Sequence, residues 1–463
     1  MSLATHPDRL LPADPGTRGI GRDLLQRVQD LPIISPHGHV DATVIEQNTP
    51  FPDPAALLVT PDHYVTRLIH ASGIELDKLQ PGSATPREIW RHFCTAWPLF
   101  DGTASGYWLR TQLESVFGFR GELSAETADA GFDSISAKLA EPGFRPRELF
   151  KDFNIEVLAT TDDPLDNLAS HRALAEDPSF HSRVLPTFRP DAYINIAHPQ
   201  WAANVERIIS EASDGGSGYR GYLTALKNRR RYFVDHGAVS ADHGVRTPAT
   251  IKLAESESAA LFERARSGQA NPEDRDLFEA HMMYQMAGMS VEDGLVMTIH
   301  PGSFRNHHGP TFEKFGADTG HDIPTATNYT EAIRPLLQDF GTAKDFHLVL
   351  FTLDETVFSR ELAPLAGFYP SVYIGAPWWF LDAPDAMLRF RSAVTETAGF
   401  SRSSGFIDDT RAFCSIPARH DASRRIEASF LARLVAEHRI SEDRAHELIV
   451  DVVDSSPRRV FKL

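Results

Sequence analysis

The chain has 463 residues, 42% hydrophobic and 24% charged, which supplies a large core and excludes wholesale disorder. Its 46 Lys and Arg against 63 Asp and Glu leave a net charge of −17, so the basic surface that nucleic acid or an anionic membrane requires is absent. A small anionic substrate remains open, because a few pocket arginines act locally while distant charges are screened.

Two cysteines, Cys94 and Cys414, are too few for a disulfide framework or a Cys-based zinc site, and they suit a reducing compartment. The first residues lack the apolar centre of a signal peptide, and no run approaches the roughly 18–20 apolar residues of a membrane span. The sequence therefore reads as a cytoplasmic protein.

Short β-rich runs that end in polar or charged residues recur along the chain. They are 31–39 (LPIISPHGH), 155–163 (IEVLATTDD), 183–191 (RVLPTFRPD), 237–243 (GAVSADH), 294–302 (GLVMTIHPG), 346–354 (FHLVLFTLD), 371–377 (SVYIGAP) and 405–411 (GFIDDTR). Val and Ile without clean alternation suit strands buried on both faces of a parallel sheet. Helical periodicity separates the runs. Ile426, Phe430, Leu431, Leu434 and Val435 form one stripe, and Phe278, Met282 and Met286 form another behind Pro272. Eight strand–helix units predict a closed (β/α)8 TIM-like barrel, with an open doubly wound sheet as the alternative.

Residues 1–30 read as an N-terminal segment and 31–463 as the barrel. Two gaps exceed ordinary crossovers. A helical insertion over about 42–150 follows the first strand, with helical pieces near 61–71, 86–93 and 107–117. A second, mostly helical insertion spans about 245–289. Both belong on the face where βα loops build active sites.

His37 and His39 end the first run two residues apart, so both imidazoles can face one metal ion; two barrel-end histidines with no ligand role are the alternative. Asp409 ends the last run, and in a closed barrel the first and eighth strands are neighbours. Asp409 then completes a His, His, Asp set suited to Zn2+, against the alternative of an ordinary acidic turn. His300 and His243 end the fifth and fourth runs, as further ligands, substrate contacts or structural residues. Arg189, Arg305 and Arg411 follow three other runs; each alone is read as a salt bridge, and together they fit an anionic-substrate pocket. Trp378 and Trp379 are either core or a stacking face for a sugar ring. The run Arg229, Arg230 and Arg231 reads as a solvated helix face. No phosphate-loop, serine-hydrolase elbow or His-Glu-x-x-His motif is present.

The ordered set His37-Gly38-His39, Asp62-His63-Tyr64 with Arg67, Thr160-Thr161-Asp162-Asp163-Pro164, Phe188-Arg189-Pro190-Asp191, Asp242-His243-Gly244, His300 to Asn306, Trp378-Trp379-Phe380 and Asp409-Thr410-Arg411 resembles the uronate isomerase (glucuronate isomerase) family of the amidohydrolase superfamily. The resemblance implies a barrel with one zinc that interconverts D-glucuronate with D-fructuronate, or D-galacturonate with D-tagaturonate. It implies that His37, His39 and Asp409 hold the metal. Tyr64, Asp409 and Arg411 would surround the reacting carbons, with Tyr64 taking the C2 proton and Arg411 lowering its pKa or stabilising the enediolate. Arg189, His300, Arg305, Trp379 and His63 would contact the hexuronate.

Three departures mark a divergent branch: Leu57-Leu58-Val59-Thr60-Pro61 replaces the usual Trp and Gly before Asp62, Asn306-His307-His308 replaces an asparagine-rich stretch, and Leu353-Asp354-Glu355 replaces an Asn-Pro segment. A metal-dependent hydrolase of a lactone or amide, and a sugar-acid-binding barrel without catalysis, are the alternative functions. A homo-oligomer is the general expectation for a soluble enzyme.

Overall fold

The computed structural model describes residues 4–463. Seven of the eight β-rich runs contain a parallel strand. β1 (Ile33–Ser35), β2 (Ile155–Ala159) and β3 (Arg183–Leu185) form one ladder, with Ile34 opposite Val157 and Leu158 opposite Val184. β4 (Ser240–His243) and β5 (Val296–Ile299) belong to the second ladder. A short antiparallel ribbon then interrupts the order, β6 (Ser303–Phe304) against β7 (Ile323–Pro324). β8 (Leu348–Leu350) and β9 (Val372–Ile374) complete the second ladder in the order β4, β5, β8, β9. The β5, β8 and β9 side chains are all buried, as strands covered on both faces require.

Hydrogen bonds join the two ladders at both edges. Asp242 N donates to Phe188 O at 2.9 Å, and Phe188 N donates to Ser240 O at 3.2 Å. On the other side Ser404 N donates to Ile374 O at 2.9 Å, and His39 N donates to Thr410 O at 3.0 Å. The eighth stave, predicted over 405–411, thus occupies its position without forming a ladder. Gly405 and Asp409 adopt φ of +77° and +46°, and left-handed residues break the pleat that regular pairing needs.

Helices fill the long gap between β1 and β2. Thr85 accepts from Glu88 N and Glu88 reaches back to Thr85 N, a capping box that starts the helix Pro86–Thr95 with proline in its first turn. That helix buries Ile89, Trp90, Phe93 and Cys94 in a cluster continuous with Ile33 and Ile155 beneath. Asp62 caps the helix His63–Ala71 by accepting from Tyr64 N, which fixes where His63 and Tyr64 leave the backbone. Both cysteines are free and buried. No helix among the described residues is long and apolar enough to cross a membrane.

The arginine run corrects a sequence expectation. Successive residues of the helix Gly218–Asp235 point about 100° apart, so three in a row cannot share one solvated face. Arg230 is fully buried, donating Nε to Asp293 Oδ2 at 2.6 Å and Nη2 to Ser290 Oγ at 2.8 Å. Arg229 donates to the carbonyls of Pro164 and Asp166. Removing the carboxylate strands a buried charge, so Asp293→Ala is expected to lower stability by on the order of 3 kcal/mol, read from urea unfolding.

Candidate functional site

β1 ends at Ser35, and the chain then delivers His37 and His39 to the mouth of the barrel. Their Nε2 atoms lie 3.3 and 3.1 Å from Asp409 Oδ1. Neither approach has hydrogen-bond geometry, and Asp409 Oδ1 is buried without a hydrogen-bond partner. Three donor atoms facing one point without hydrogen bonds between them are the arrangement that ligands of a common cation adopt, and all lie within 4.8 Å of one another. Burial opposes ionisation of Asp409, yet the two imidazoles hold its carboxyl far below the usual range. Burial lowers the pKa of His39, whereas at His37 the charges of Asp242 and Asp409 outweigh burial and raise it. Thr161 Oγ1 donates to Gly38 O at 2.8 Å and so fixes the peptide between the two histidines.

Beside Thr161, Asp162 accepts from Thr160 Oγ1 at 2.7 Å and Thr187 N at 3.0 Å. Burial outweighs these bonds and pushes its pKa up to about 7. Between about pH 4 and that value, the folded protein holds a proton that the unfolded chain has released. This contribution to stability therefore falls as pH rises through the window. Asp162→Asn is expected to flatten that slope, measured as urea midpoints of both proteins from about pH 4 to about pH 8.

A second group stands behind the histidines. Asp242, buried at the end of β4, takes His300 Nε2 at 2.8 Å and Thr298 Oγ1 at 2.5 Å, with Arg189 Nη1 at 3.6 Å. Arg189 Nε also donates to Asp191 Oδ2 at 2.9 Å, and Gly244 N donates to Asp191 Oδ1 at 3.0 Å. The His300 ring lies 6.4 Å from that of His37 and 5.2 Å from that of Trp378. His243 points elsewhere: its Nδ1 meets Thr298 O at 2.9 Å, and burial lowers its pKa to about 4.

The remaining candidates gather from the first insertion, the excursion between β6 and β7, the loop after β9 and the eighth stave. The His63 ring packs edge-on to Trp379 at 5.6 Å and stacks on Tyr64 at 5.5 Å. The charges of Asp62, Arg411, Asp318 and Asp409 all reach His63, although burial dominates and lowers its pKa. Arg305 covers the Trp379 ring at 4.8 Å and pairs with Asp322 at 2.8 Å. Trp379 and Phe380 have φ of +25° and +67°, strained conformations for bulky residues, and the amide of Phe380 donates to Tyr64 Oη at 2.6 Å.

Arg411 is not the cation that tunes Tyr64. Its Nη2 pairs with Asp318 Oδ2 at 2.8 Å. The guanidinium over Tyr64 is that of Arg419, which reaches back from the helix Ile416–Ala436 and shares Asp382 with the phenol. In the sequence Asp242 stands within a motif but receives no role, and Asp382 and Arg419 are not singled out. The first had a visible signal, since it precedes His243 at a strand end; an acidic loop residue and a helical arginine had none.

The glucuronate isomerase family model matches residues 17–461. The chain belongs to that family. A uronate isomerase of Corynebacterium efficiens is 58% identical across all of this chain and 99% of the relative. The crystal structure of glucuronate isomerase from Caulobacter crescentus superposes with a TM-score of 0.97 at 47% identity, covering 99% of this chain and 97% of that one. Uronate isomerase from Thermotoga maritima gives 0.93 at 30% identity, covering 99% of both chains. These full-length matches to uronate isomerase structures carry the family's barrel over to the whole chain.

Proposed function

We propose that the protein interconverts an aldose hexuronate and its ketose, D-glucuronate with D-fructuronate or D-galacturonate with D-tagaturonate, through a cis-enediol. The meeting of His37, His39 and Asp409 at one point, in a chain of the glucuronate isomerase family, carries this reading. Two imidazoles and a carboxylate suit a divalent ion, Zn2+ foremost. Held there, such an ion would supply Lewis-acid chemistry toward the oxygens of an acidic sugar.

The chain's own groups do the rest. Arg189 and Arg305 attract and orient the acid, and the face of Trp379 takes the sugar ring. His300 is held by Asp242 through Nε2, which leaves Nδ1 buried and without a partner, available to a substrate hydroxyl. Asp409 accepts a hydroxyl proton as the ring opens. Tyr64 works at C2, and Arg411 stabilises the charge of the enediolate once Asp318 yields it.

A uronate panel assayed with an NADH-coupled reductase, beside a pH-stat trace on the same preparation, tests the proposal. Isomerisation consumes NADH in the coupled assay and releases no acid. Acid release without ketose formation identifies a hydrolase instead.

A further inference from the structure

Tyr64 poses a chemical difficulty that its neighbours resolve. Its hydroxyl donates to Asp382 Oδ1 at 2.9 Å. Burial, and after it the charge of Asp382, push its pKa well above the ordinary value, so the phenol keeps its proton at neutral pH. A protonated phenol cannot accept a proton from carbon unless its own leaves in the same step. Asp382 is placed to take it. This carboxylate is buried, with one oxygen on the phenol and the other receiving Arg419 Nη1 at 2.8 Å. Arg419 is itself buried and lies flat on Trp108 at 3.7 Å, which fixes the carboxylate in turn. Burial raises the pKa of Asp382 against the pull of Arg419, making it a stronger proton acceptor than a solvated carboxylate. The phenolic oxygen has two lone pairs, and the Phe380 amide uses only one.

We propose that Asp382 receives the phenolic proton of Tyr64 as Tyr64 takes the C2 proton, so that the pair acts as one base. This deepens the isomerase reading and rests on it. The C2–H bond breaks, and its electron pair becomes the C1–C2 double bond as the carbonyl pair moves onto O1. The C2 proton joins the Tyr64 oxygen while the phenolic proton passes to Asp382 Oδ1. The O2 hydroxyl proton moves to O1. Tyr64 then delivers a proton to C1 and recovers one from Asp382, so nothing is gained or lost overall. The Phe380 amide stabilises charge on the phenolic oxygen during transfer. Asp382 never touches the sugar; it is a positioning residue that acts through Tyr64.

Wild-type protein tests this without any substitution. With 2-deuterated D-glucuronate or D-galacturonate, whichever it turns over, kcat/KM is expected to fall. Deuterium oxide is expected to lower it further and multiplicatively, because an exchangeable proton moves in the same step. A substrate isotope effect with no solvent component overturns the relay. Asp382→Asn keeps the size of the side chain and one acceptor oxygen, enough for Tyr64 or for Arg419 but not for both, and takes no proton. Its kcat is expected to drop about 100-fold, with the acid limb of the pH profile lost and KM within about threefold. Asp382→Glu should recover at least about a tenth of wild-type turnover. Near-normal kcat in Asp382→Asn overturns the relay alone, whereas wild-type protein that isomerises no hexuronate overturns the isomerase reading as well.

Discussion

Asp409→Asn is expected to strip the bound divalent ion and to lower kcat/KM by more than about 100-fold, beyond the usual loss when only a partner of a ligand is changed. The substitution keeps the size of the side chain and removes its charge. That charge opposes burial at His37, and it lies against both ring nitrogens. The left-handed conformation at position 409 is one that Asn tolerates as readily as Asp, so the backbone turn survives. Metal content, turnover and thermal unfolding measured on one preparation separate the outcomes. A variant that keeps both stoichiometric metal and activity removes Asp409 from the ligand set.

Gly244→Ala is expected to lower kcat/KM about 100-fold through displacement of neighbours, the cost typical of a misplacement near 1 Å. A Cβ at position 244 would stand 2.6 Å from Asp191 Oδ2, 2.7 Å from His300 Cε1 and 2.9 Å from Arg189 Nη2. His300 and Arg189 are the side chains assigned to the substrate; His300 is tied to Asp242, and Arg189 to both Asp191 and Asp242, so neither can retreat alone. Steady-state kinetics should show both a raised KM and a reduced kcat. Gly309→Ala serves as the control, because a Cβ there meets nothing within 4 Å. Wild-type kinetics in Gly244→Ala would show that His300 and Arg189 do not set the geometry of binding.

The chain reveals its chemistry where function and local pattern coincide. His37 and His39 follow a β-rich run at a spacing that puts two rings on one side, and Asp409 ends the last such run. Barrel closure alone then brings the two ends together. Tyr64, Asp382 and Arg419 obey no such rule. They come from a capped helix of the insertion, a loop after β9 and the helix Ile416–Ala436, so only tertiary packing joins them. The eighth stave shows the converse: its composition is that of a strand, but two left-handed residues spend its pairing potential on aiming Asp409. Arg230 illustrates a third limit, since charge in a run signals solvent on average and not for each residue.

The seam where His39 N meets Thr410 O has a consequence for biosynthesis. The two histidines leave the ribosome long before Asp409 does. Loop closure over such a distance adds only about 0.6 kcal/mol for each doubling of length, so the thermodynamic penalty is mild. The kinetic effect is absolute: a prematurely terminated polypeptide lacking the last stave carries two histidines and no carboxylate opposite them. Incomplete products are therefore expected to be catalytically silent, and competence arrives only once the ends of the ring have met.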